Sequence, residues 1–153
     1  MGKLWTRWWN SLIARGTTVS WKIERIIMET ENTVSIWIGN FDTKLELDEF
    51  ITLKYDDEGE VIPSMFYNQY NIDIDDIDDY LIEKEVFETS FTNLFDMLKG
   101  ASYDNIIVKK LKQKGIKANI APNNTLILIY NYQFDSNVSR TINTEFVTTV
   151  RYK

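Results

Sequence analysis

"TVSIWIGNFDTKLELDEF", residues 33–50, changes its hydrophobic period halfway along. From Thr33 to Ile38 the apolar residues alternate, with Val34, Ile36 and Ile38 on one side and Ser35 and Trp37 on the other. That period of two predicts a β-strand. Gly39 and Asn40 then supply a turn, as residue types that tolerate positive φ. Beyond "GNFD" the spacing becomes helical: Leu47, Phe50 and Ile51 mark a buried side, and the helix is expected to reach about Leu53. Thr43 and Glu46 have the spacing of a capping box, and Asp42, Glu46, Asp48 and Glu49 lie where the positive end of a helix dipole favours acids. A strand running straight into an acidic helix points to sheet and helices in one layered domain. Trp37 lies on the second face of the strand, and the expectation is that it packs beneath a helix there.

Working outward, "PSMFYNQY" (63–70) reads as a short helix started by Ser64, with Met65, Phe66 and Tyr70 facing inward. "NIDIDDIDD" (71–79) is an acidic connector, and "YLIEKEVFE" (80–88) alternates like a strand. "SFTNLFDMLKG" (90–100) and "SYDNIIVKKLKQKG" (102–115) read as helices, the second starting on a Ser102 cap and stopping at Gly115. "TLILIYNYQF" (125–134) is the most strand-like run of the chain. "NTEFVTTVRY" (143–152) is a last strand, with Phe146, Thr148, Val150 and Tyr152 expected on one face. Strands at both ends with helices between them give an α+β fold on a mostly antiparallel sheet of about four strands. Residues 28–153 then form a single α+β domain.

Residues 1–27 look different, holding five Lys and Arg against one Glu and three closely spaced tryptophans near the start. Three readings are open: a basic tail for a membrane or nucleic acid, a small packed appendage, or upstream sequence read from an early start. The third is favoured, since Glu24-Arg25 can be encoded as a purine-rich ribosome-binding sequence a short spacer before Met28. The charge then reverses: residues 42–88 hold sixteen acids against three lysines. A field of that sign repels nucleic acid and attracts a basic partner.

The chain has no cysteine and no histidine. That removes disulfides, thiolate ligands, the commonest general base and the usual activator of a catalytic serine. No catalytic residues, cofactor or metal are expected. The acidic connector fails as a calcium loop: counted from Asn71, the sixth position is Asp76 instead of Gly and the twelfth is Ile82 instead of Glu. Carboxylates beside lysines, at Asp42-Thr43-Lys44 and Glu83-Lys84-Glu85, leave a divalent-dependent hydrolase as an alternative, though an acidic nuclease repels its own substrate. An adaptor working through the basic, tryptophan-rich tail is another. The lysines at 109, 110, 112, 114 and 117 read as a solvated helix end. No apolar run approaches the ~20 residues that cross a membrane as a helix, so neither a membrane nor nucleic acid is expected as partner, and the cytoplasm is the expected location.

Tyrosines interleaved with carboxylates suit a protein interface, because aromatic rings anchor while charges steer. The candidate partner-binding residues are therefore Asp42, Glu46, Glu49, Asp56, Asp57, Glu58, Tyr67, Tyr70, Asp73, Asp75, Asp76, Asp78, Asp79 and Tyr80. Four stretches carry a family resemblance: "VSIWIGNFDTKLELDEFI" (34–51), "PSMFYNQYNI" (63–72), "DIDDYLIEKE" (76–85) and "NNTLILIYNY" (123–132). Together they resemble the immunity protein 22 family of bacterial polymorphic toxin systems, over roughly Met28 to the C-terminus. The resemblance implies a small, non-catalytic α+β protein that neutralises a cognate toxin; a monomer or weak dimer is expected. An acidic inhibitor of this kind suits a cationic, nuclease-type toxin, whose active or substrate-binding surface it would occlude.

Overall fold

The computed structural model describes residues 31–153; the extension expected over residues 1–27 lies outside them. Strand β1 (Thr33–Gly39) is the middle of the fold, and all seven of its residues are buried. It pairs antiparallel with β5 (Asn119–Tyr130) on one side and with β6 (Thr144–Arg151) on the other. Strand β4 (Ile82–Asn93) adds to β5, which gives an antiparallel four-stranded sheet in the order β4-β5-β1-β6.

The alternation within β1 is therefore not apolar-in and polar-out, because both faces are covered. Trp37 on one face joins Ile127 and Ile129 of β5. Over them lies one continuous stretch of chain: helix α1 (Lys44–Ile51), the hairpin β2 (Lys54–Tyr55) and β3 (Val61–Ile62), helix α2 (Met65–Gln69), and two 3-10 turns at Ile74–Asp76 and Asp79–Leu81. On the opposite face Val34, Ile36 and Ile38 join Leu126 and Leu128 beneath α3 (Leu94–Met97) and α4 (Asp104–Lys114). Fully burying each such aliphatic or aromatic side chain contributes about 1.5–3 kcal/mol, so two cores on one sheet hold the three layers together.

Local signals explain where the elements begin and stop. Thr43 Oγ1 accepts the Glu46 amide at 3.1 Å, and the Glu46 carboxylate reaches back to the Asp42 amide at 3.3 Å. The helix closes at Ile51, two residues earlier than its periodicity suggests, with Thr52 already extended. Gly115 ends α4 at φ 84°, as its position implies. Gly39 has another purpose than positive φ. A Cβ there would collide with the Asn143 carbonyl oxygen, which accepts the Asn40 amide at 2.9 Å. Glycine is needed for close approach of two backbones.

Four expectations change. The run 90–93 is strand instead of helix: Phe91 packs on Phe87 with ring centroids 4.9 Å apart, and Asn93 then caps α3 by accepting the Phe95 and Asp96 amides. Helix α4 starts at Asp104 after Tyr103 in the left-handed region, while the Ser102 amide is bound by the Glu83 carboxylate. The side chains of β6 do not share one face. Its register with β1 shifts between Ile36 and Trp37, so Phe146 packs with Trp37 while Val150 and Tyr152 join the opposite core. One bulged residue inverts an alternation. Finally, Met65 points outward at 58% exposure, because a five-residue helix that buries Phe66, Tyr67 and Tyr70 has its first residue on the other side.

Candidate partner-binding face

Residues 42–81, which form the cover over Trp37, contain thirteen acids and two lysines. Some of their apolar side chains go down into the core, including Leu47, Phe50, Ile51, Phe66, Ile72 and Ile77. The charged ones are left on the outside, since a carboxylate in an apolar core is prohibitively costly. The opposite cover, residues 94–118, contains six lysines and two acids. The sheet therefore separates an acidic layer from a basic one.

The acids divide by what their carboxylates do. Asp56 accepts the Glu58 and Glu60 amides, both at 2.9 Å, and so builds the β2–β3 turn. Asp73 and Asp78 accept the amides two residues on, at 3.0 Å each, and cap the two 3-10 turns. Asp48 pairs with Lys84 at 3.5 Å. Asp79 accepts the Tyr67 hydroxyl at 3.5 Å, and Glu46 belongs to the start of α1. Asp42, Glu49, Asp57, Glu58 and Asp75 are exposed and cap no turn. Asp76 is half-buried in the connector. Carboxylates of the turn, the connector and α1 thus lie on one cover layer of the sheet.

Tyr67 and Tyr70 do not belong to the exposed set. Both are buried, at 1% and 0% exposure, because they are the residues that fasten α2 to the sheet. Burial pushes the Tyr67 hydroxyl well above its ordinary range, and the neighbouring Asp79 charge adds to the shift. Burial also raises Tyr70, whose hydroxyl shares a 2.7 Å bond with Thr144 Oγ1. Neither ring is available as a surface anchor. Tyr80 is, at 96% exposure.

Other exposed apolar side chains are on this side of the sheet as well. Leu45, Tyr55, Ile62, Met65 and Tyr80 all come from residues 42–81, and Ile142 stands 98% exposed in the β5–β6 loop. Tyr55 and Tyr80 are tyrosines interleaved with acids in the sequence; the others are not marked by sequence, since a lone exposed apolar residue has no periodicity and Ile142 lies in a loop.

The model of the family described as Immunity protein 22 matches residues 34–153. The chain belongs to that family. No curated protein and no solved structure was found to match. The matched residues span the sheet, both covers and the whole acidic layer. Among the described residues of this Immunity protein 22 chain, no group of three or more acids is gathered as a metal site would need, and no helix is long and apolar enough to cross a membrane.

Proposed function

We propose that the chain binds and neutralises a cognate bacterial toxin, and that the layer formed by residues 42–81 is the surface that meets it. The observation carrying this reading is the composition of that layer within an immunity-family fold: carboxylates and single apolar side chains outside, aromatic residues inside. Carboxylates draw a basic partner in, and apolar side chains hold it once water is excluded. A nuclease-type toxin is the fitting target, since its substrate-binding surface must carry cations to grip phosphates. Covering that surface with a rigid acidic layer denies it to nucleic acid, and no reaction by the inhibitor is required. The inhibitor acts in the cytoplasm, where such a toxin would meet its substrate, and acts as a monomer or weak dimer.

The test is titration of the full chain into a cognate toxin domain, sought first in the neighbouring open reading frames, reading toxin activity and binding together. Stoichiometric loss of activity with tight binding is the expected result. A toxin domain that stays active and unbound in the presence of excess chain would refute the reading.

A further inference from the structure

A groove of about 560 Å³ opens on the acidic layer where α1, the β3–α2 connection and the β5–β6 loop meet. Its lining contains Phe41 and Phe50, both nearly buried, and the exposed side chains of Ile62, Met65 and Ile142. Exposed apolar side chains around an apolar floor contribute little to the core and cost solvation in the free protein. Glu46 and Glu49 of α1 also line the groove, and Lys54 is the single cation among its lining residues.

We infer that this groove seats a loop of the toxin carrying an aliphatic or aromatic side chain beside a lysine or arginine. The apolar side chain lies on Phe41 and Phe50 between Met65 and Ile142. The cation lies against Glu46 and Glu49. Charge complementarity selects a basic loop over a neutral or acidic one, and the groove supplies the desolvated anchor that a charged layer alone lacks. This assignment rests on the proposed toxin-binding reading and locates its anchor.

The experiment measures affinity of the full chain for the cognate toxin domain that it neutralises, with the melting temperature of each variant taken alongside. The double variant Met65→Ser with Ile142→Ser should weaken binding by about tenfold or more, since few residues carry most of an interface's energy. Ile106→Ser, on the opposite cover, should change it by less than about twofold. Wild-type affinity in the double variant would overturn the groove and leave toxin binding standing. Absence of binding by the wild-type chain would overturn both. A wild-type chain that sediments as a dimer, which the double variant dissolves, would place a second copy in the groove and overturn the toxin-loop assignment.

Discussion

Trp37→Ala and Trp37→Phe together test how the acidic layer is held. Trp37 is fully buried at the centre of four rings: Phe66 and Phe146 at 5.1 Å, Phe134 at 5.2 Å and Tyr70 at 5.8 Å between centroids. Removing such a side chain typically costs about 3–5 kcal/mol. Aromatic pairs add about 0.5–1.5 kcal/mol each beyond area, which places Trp37→Ala at the upper end. Trp37→Phe should behave differently, because the indole Nε1 is buried with no hydrogen-bond partner. The smaller ring leaves a cavity costing about 1–2 kcal/mol. Deleting an unpaired buried donor returns about 1–3 kcal/mol. The two nearly cancel, so Trp37→Phe should fall within ~1.5 kcal/mol of the parent. Denaturant melts of both variants, read by circular dichroism, give the comparison. A Trp37→Phe loss equal to that of Trp37→Ala would mean that the indole N–H holds something the phenyl ring cannot replace, and the ring-packing account would fail.

Ser35, two residues before Trp37 on the same strand, should also prove important. Its buried hydroxyl donates to the Tyr132 carbonyl at 2.7 Å and accepts the Phe134 amide at 3.1 Å, leaving Thr149 Oγ1 as the donor in their 2.8 Å bond. Ser35→Ala strands several polar groups and should cost about 1–3 kcal/mol, whereas an unchanged melt would show that the 132–134 loop is fastened elsewhere. The buried tyrosines set an alkaline limit: Tyr67, Tyr70, Tyr130 and Tyr132 all have hydroxyls raised, first of all by burial. Because the folded state favours their neutral form, their stabilisation is complete below the unfolded value of about 10 and is lost as pH climbs above it. Melting temperature should therefore fall above about pH 10, with part of the tyrosinate absorbance from the eight tyrosines appearing only on unfolding. Full ionisation near the ordinary value with the fold intact would contradict the burial argument.

Much of this architecture can be read in the sequence, and the exceptions have physical causes. The strand at residue 33, the stretch 125–130 of the strand expected over 125–134, the capping pair Thr43 and Glu46, the Gly115 stop and the buried position of Trp37 all rest on local period or local chemistry, whereas that second strand in fact begins at Asn119 and ends at Tyr130. What escapes is non-local or shorter than a period. The β6 bulge depends on pairing with β1, so Phe146 and Val150 look equivalent in sequence yet enter different cores. Helix α2 is a single turn, too short for periodicity to place Met65 outside or to bury Tyr67. Tyrosines among carboxylates look like an interface, but Tyr67 and Tyr70 are fastenings. The acids are also less uniform than their density suggests. Asp56, Asp73 and Asp78 each accept an amide two residues on, a spacing already visible in the sequence as a turn signal. Self-repulsion in the layer is offset locally by these bonds, so only the acids that cap nothing need another reason to be there.

Those acids give the most direct measurement. Glu49, Asp57, Glu58 and Asp75 are exposed and cap no turn, so replacing them with Gln or Asn should leave the melt unchanged or slightly higher. Stopped-flow association with the cognate toxin domain, run as a salt series, then measures steering. Slower association of the variant, by about tenfold at low salt, with the difference shrinking as ionic strength rises, is the result predicted for an acidic layer that captures a basic toxin. Equal association rates for parent and variant at low salt would contradict it.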